Sequence, residues 1–127
     1  MVQVLVVDDE LDIRDLLECW LHADGHEVLA ADSAETALAA VGREGLPQAV
    51  VLDVDMPGID GVELLARLRE RAPGLPALFV TVLWDARNRD RMRDAGGVVL
   101  PKPFRRTQLC TAVRQLTAGT AVARSEQ

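Results

Sequence analysis

Five short apolar runs, Val2–Val7, Val28–Ala31, Ala49–Leu52, Ala77–Val82 and Val98–Leu100, alternate along the chain with five stretches of helical period. The first, third and fourth runs are almost continuously apolar. A strand covered on both faces needs that pattern, which predicts a parallel sheet. Between the runs the spacing changes. Ile13, Leu16, Leu17, Trp20 and Leu21 form one stripe of an amphipathic helix. Ala34, Ala37, Leu38 and Val41 repeat the stripe behind a Ser33 cap. Gly61, Leu64, Leu65 and Leu68 form a third, and Leu109, Ala112, Val113 and Leu116 a fifth. The fourth segment, Asp85–Ala95, differs. Arg87, Arg89, Arg91 and Arg93 interleave with Asp85, Asp90 and Asp94, and only Ala86, Met92 and Ala95 could anchor it. It predicts a thinly docked, solvated helix.

Breakers at Gly25, Gly45-Leu46-Pro47, Pro73-Gly74-Leu75-Pro76 and Gly96-Gly97 separate the segments. Strand and helix thus alternate five times. Right-handed crossovers then build an α/β, doubly wound, five-stranded parallel sheet of flavodoxin-like (βα)5 type, with strand order 2-1-3-4-5. The apolar period is lost from Thr117 onward, so residues 1–118 are expected to form the domain and residues 119–127 a frayed tail or the start of a linker.

Composition narrows the function. The 127 residues carry 14 Lys+Arg against 20 Asp+Glu, a net charge of −6. A chain so acidic lacks the basic face that direct nucleic-acid binding requires. No uncharged stretch is long enough to cross a bilayer, and Met1 to Leu5 lack the basic segment of a signal peptide, so no membrane role and a cytoplasmic location are expected. Cys19 and Cys110 lack metal-ligand spacing and are expected as reduced, half-buried thiols on one face of the sheet.

In an open parallel sheet, ligands bind at the carboxyl ends of the strands. The first strand ends in Val7-Asp8-Asp9-Glu10, the third in Leu52-Asp53-Val54-Asp55 and the fourth at Thr81, while Lys102-Pro103 follows the fifth. Strands 1 and 3 are neighbours in this order, so Asp9 and Asp53 should meet in one crevice. A lone Asp at a strand end is ordinarily a helix cap. An Asp pair, a third Asp, a Thr and a Lys at one edge point elsewhere. Crowded carboxylates raise one another's pKa unless a cation joins them, and Mg²⁺ suits all-oxygen donors. Metal, ammonium and hydroxyl together are what a transferring phosphoryl group needs, and a carboxylate in that field can be the nucleophile.

Asp8-Asp9, the run Asp53-Val54-Asp55-Met56-Pro57-Gly58-Ile59-Asp60-Gly61, Thr81 and Lys102-Pro103-Phe104 together resemble a two-component response-regulator receiver domain, over about Val2 to Leu116. The resemblance implies that Asp53 is the phosphoacceptor. Asp9 and Asp53 would ligate Mg²⁺ through their carboxylates, Asp8 through a water and Asp55 through its backbone carbonyl. Lys102 would bind the Asp53 carboxylate and then the phosphoryl oxygens, and Thr81 would swing toward the phosphate. The donor would be a phosphohistidine on a sensor histidine kinase or phosphotransfer protein, with the receiver itself supplying most of the catalytic groups. Phosphorylation would switch a face built by helix 4, strand 5 and helix 5 for a downstream output protein or domain. Whether a homodimer forms on phosphorylation stays open.

The chain departs from the family pattern in four places. Val99 stands where receivers usually carry an aromatic, three residues before the Lys. Val82 follows the Thr where Ala or Gly is usual, and a larger residue there could screen the acyl phosphate from water. The stretch from Thr81 to Lys102 is about one residue short, and Asp55 adds a carboxylate beside the phosphoacceptor. Trp84 falls on the loop after Thr81, where it could replace the missing aromatic or pack on the fourth helix.

His22 and His26 have metal-ligand spacing, but Gly25 should end the helix between them and leave two exposed histidines. The arginines Arg87 to Arg93, with Arg105 and Arg106, could line a protein surface. Pairing of Asp85 with Arg89 instead favours a solvated face. Phe104 is expected in the core. Two other readings compete. Asp53-Val54-Asp55 resembles the Asp-x-Asp pair of haloacid-dehalogenase-type phosphatases, though Pro57 follows and the chain is short for that fold. A phosphorylation-independent pseudo-receiver is the other, against which the intact Asp8, Asp9, Asp53, Thr81 and Lys102 speak.

Overall fold

A computed structural model describes residues 2–82 and 85–125. Five strands, β1 (Gln3–Val7), β2 (Glu27–Ala31), β3 (Ala49–Asp53), β4 (Ala77–Thr81) and β5 (Val98–Pro101), alternate with five helices. These are α1 (Leu11–Ala23), α2 (Ala34–Glu44), α3 (Gly61–Arg69), α4 (Ala86–Asp94) and α5 (Arg106–Ser125). All strand pairs are parallel and the order is β2-β1-β3-β4-β5. The doubly wound sheet predicted from the pattern is therefore the one that forms.

The alternation of side chains along each strand divides the core in two. Leu5, Val7, Val50, Leu52 and Phe79 face one way, against Ala37 and Val41 of α2, Leu64 and Leu68 of α3, and Met92 of α4. Val4, Val6, Val51, Leu78 and Val80 face the other, against Leu17 and Leu21 of α1 and Leu109 and Val113 of α5. Both faces of β3 and β4 are buried throughout, which is why those runs had no polar alternation. Phe104 packs on the second half with its ring edge-on to Trp20 at 6.2 Å.

Ser33 caps α2 as the sequence predicts, through a reciprocal box with Thr36. Helix α4 is as thinly docked as expected, with Met92 its one buried residue among those described. Its Asp85 carboxylate accepts from the Asn88 amide at 2.7 Å instead of pairing with Arg89. Arg91 reaches Asp60, the N-cap of α3, at 2.7 Å, and Arg69 donates to the Ala95 carbonyl. The chain can enter β5 only through glycine, because a Cβ on Gly97 would meet the Phe79 ring at 2.3 Å.

Several expectations need correction. His22 is exposed but His26 is buried, because the chain turns back at Gly25 (φ +93°) and the His26 N–H bonds to the Leu21 carbonyl. Cys19 is exposed and Cys110 buried, not both half-buried, although their helices do share a face. β4 stops at Thr81, leaving Val82 60% exposed beyond the strand. Apart from these corrections, helix α5 runs to Ser125, with the buried Thr117 hydroxyl donating to the Val113 carbonyl. Trp84 lies outside the described residues. Among the described residues, no helix is long and apolar enough to cross a membrane.

Candidate functional site

The carboxyl edge of the sheet collects the candidate residues. Asp8 follows β1 directly, Asp53 closes β3, Thr81 closes β4, and Lys102 follows β5. Val7 sits beside Leu52, Asp53 beside Val80 and Thr81 beside Pro101, so these strand ends are level. The Lys102 N–H donates to the Thr81 carbonyl at 3.0 Å, and the Lys102–Pro103 peptide is cis. Asp8, Asp53 and Thr81 are buried.

Lys102 Nζ sits among three carboxylates, at 3.0 Å from Asp8 Oδ2, 3.3 Å from Glu10 Oε1 and 3.5 Å from Asp53 Oδ2. Oxygens of Asp8, Glu10 and Asp53 all lie within 4.8 Å of one another. Asp8 Oδ1 accepts the Glu10 N–H, and Asp53 Oδ1 accepts the Asp55 N–H at 3.3 Å. The structure thus brings Asp8, rather than the expected Asp9, into the cluster with Asp53 and Lys102. Asp9 and Asp55, by contrast, are exposed and stand outside the trio. Consecutive residues leaving a strand point to opposite sides, so burial of Asp8 turns Asp9 out and brings Glu10 back.

Glu10 is the residue that sequence reasoning missed. It is the N-cap of α1 yet makes no side-chain cap bond, because its carboxylate is turned to Lys102. Glutamate at a place that favours Ser, Asp or Asn was the available signal.

Burial, and then the charge of Asp8, push the Asp53 carboxyl up to about 7. Burial also raises Asp8. For Lys102, burial works against the charge, but its hydrogen bond to Asp8 and the charges of Asp53 and Asp8 outweigh it and hold the ammonium above its ordinary pKa. One cation among three carboxylates leaves negative charge in excess. The carboxylate oxygens of Asp8 and Asp53, buried at an edge with that excess, suit a hard divalent ion such as Mg²⁺.

The family described as "Response regulator receiver domain" matches residues 4–114. The chain is 40% identical over 119 residues to response regulator protein FleR of Pseudomonas aeruginosa, covering 92% of this chain and 25% of FleR. It is 41% identical over 119 residues to an uncharacterized 14.6 kDa protein of Leptolyngbya boryana, covering 90% of this chain and 88% of that one. The solved structure of chemotaxis protein CheY4 of Vibrio cholerae is similar at a TM-score of 0.83 and 27% identity, covering 91% of this chain and 98% of CheY4. The chain therefore spans a quarter of the length of FleR but nearly all of the other two.

Proposed function

The chain belongs to the response regulator receiver domains, signalling domains of two-component systems, and we propose that Asp53 is the residue that takes the phosphoryl group. The observation that carries this reading is the reach of the Lys102 ammonium, 3.0 Å from Asp8 and 3.5 Å from Asp53 at the buried carboxyl edge. Asp8, Asp9, Asp53 and the Asp55 carbonyl would hold Mg²⁺. When bound, the ion would neutralise crowded carboxylates and charge on the transferring group.

An Asp53 oxygen attacks phosphorus of a phosphohistidine on a sensor kinase or phosphotransfer protein. The new O–P bond forms as the P–N bond breaks, and the departing imidazole keeps that electron pair and takes up a proton. Lys102 follows the charge onto the phosphoryl oxygens, and Thr81, at the neighbouring strand end, contributes a hydroxyl. The same groups serve the hydrolysis that resets Asp53, so the domain catalyses only its own phosphorylation and dephosphorylation. The Asp55 side chain is exposed and outside the carboxylate cluster of Asp8, Glu10 and Asp53, which does not suit the acid of a haloacid-dehalogenase pair.

The output is a partner that reads the face of α4, β5 and α5. Residues 1–118 form the receiver body and residues 119–127 a tail or linker. Free thiols at Cys19 and Cys110 suit a cytoplasmic setting. Incubation with acetyl phosphate and Mg²⁺ followed by intact-mass measurement tests the assignment. A single phosphoryl gain in the wild type, lost in Asp53→Asn, is expected; labelling that survives the substitution would refute it.

A further inference from the structure

We infer that Glu10 is a positioning residue for Lys102, holding its ammonium at the rim of the site and yielding it when a phosphoryl group arrives on Asp53. The inference rests on the phosphoacceptor reading above and extends it to a residue that reading leaves without a role.

The three carboxylates around Lys102 are not equivalent. Asp8 and Asp53 are buried, whereas the Glu10 side chain is 63% exposed. A buried carboxylate that loses its ammonium is left as an uncompensated charge in a poorly solvated site. An exposed one is rehydrated at once, so of the three contacts the one to Glu10 is the least costly to break. When a new anion competes for Lys102, Glu10 is therefore the partner that lets go.

The backbone of Glu10 is fixed while its side chain is free to leave. Its N–H donates to Asp8 Oδ1 at 2.9 Å, and its carbonyl accepts the Arg14 N–H at 2.9 Å. With no cap bond to break at α1, the carboxylate's hydrogen bond goes to Lys102 at 3.3 Å. Lysine is a compact charge on a flexible stem with three rotatable donors, so it can exchange one oxygen partner for another without moving the strand that carries it.

The test uses beryllofluoride as phosphoryl probe and Mg²⁺ alone as the metal probe, both followed by calorimetric titration. Glu10→Gln removes the competing charge. Asp12→Asn makes the same charge change in the first turn of α1, at a side chain with no described contact to Lys102. Glu10→Gln is expected to tighten beryllofluoride binding about twofold to fivefold, the scale of one ion pair with a single solvated partner. Its Mg²⁺ affinity should move by less than about twofold, and Asp12→Asn should change neither. Equal effects from the two variants, or unaltered beryllofluoride affinity in Glu10→Gln, would overturn the inference. A fall of about tenfold or more in Mg²⁺ affinity would overturn it too, by making Glu10 a metal ligand. A wild type that is not phosphorylated at Asp53 would instead sink the reading on which it rests.

Discussion

Gly61 stands directly against the backbone of Asp53: a Cβ built on it would lie 2.2 Å from the Asp53 carbonyl oxygen and 2.9 Å from the carbonyl carbon. The Gly61 N–H also donates to the Val54 carbonyl at 3.2 Å. Helix α3 can begin this close behind β3 only because residue 61 has no side chain. Backbone cannot swing aside, so Gly61→Ala must displace either the helix or the strand end. We expect a loss of about 2 kcal/mol or more in denaturant unfolding, together with slower phosphorylation by acetyl phosphate. A loss below about 0.5 kcal/mol would show that the turn relaxes freely.

The Asp53 carboxyl titrates near 7 in the fold against 3.8 in the ordinary state, which sets a sign for stability. Below about pH 4 it is protonated both folded and unfolded, and nothing is lost. Between there and 7 the unfolded chain gives up a proton that the folded chain keeps, so stability falls as pH rises. Above 7 the full penalty applies, about 4 kcal/mol for a shift of this size. Without metal, Asp53→Asn should therefore match the wild type near pH 4 and exceed it by about 2–4 kcal/mol at pH 8. Urea unfolding of both proteins across that range checks it. A gap that does not widen with pH would contradict the assignment of the raised carboxyl.

Val82, the residue after Thr81, is 60% exposed. If its branched side chain screens the acyl phosphate from water, Val82→Ala should lose phosphate faster than the wild type. Asp55→Asn should also alter the lifetime, because it removes a charge two residues from the phosphoacceptor. Phosphate release followed after removal of the donor compares the three. Equal lifetimes would show that neither side chain controls access.

Asp60 does two things at once. Its Oδ1 caps α3 by accepting the Glu63 N–H at 3.0 Å, and its Oδ2 accepts from Arg91 of α4 at 2.7 Å. Both side chains are about one-third exposed, at 28% for Asp60 and 31% for Arg91, so the pair is worth about 0.5–1 kcal/mol. Asp60→Asn keeps a capping oxygen and loses the charge. It and Arg91→Ala should each destabilise by about that amount, and the double variant by little more than either alone. Simple additivity in urea unfolding would mean the pair does not act as one.

The sheet was legible because β3 and β4 must be apolar on both faces, and the order of five alternating units leaves few topologies. Asp8, Asp53 and Lys102 were legible for a related reason: strand ends that are level in a parallel sheet bring their next residues together. What the pattern could not give was side-chain direction just beyond a strand. Asp9 and Glu10 are both acidic and adjacent, yet only Glu10 turns back to Lys102. The burial of His26 likewise depends on the turn at Gly25, which a polar residue after a breaker does not announce. Gly97 reads in sequence as a mere breaker, whereas its role is to leave room for the Phe79 ring.

Among the described residues, helix α4 is moored chiefly by Met92, by the Arg91–Asp60 pair and by the Arg69 bond to the Ala95 carbonyl. Such thin docking makes it cheap to lift or slide. A few kcal/mol released at the carboxyl edge would be enough to redistribute this segment between poses while β3 and β4 hold still. Its amide protons, accordingly, should exchange with heavy water well before those of the central strands.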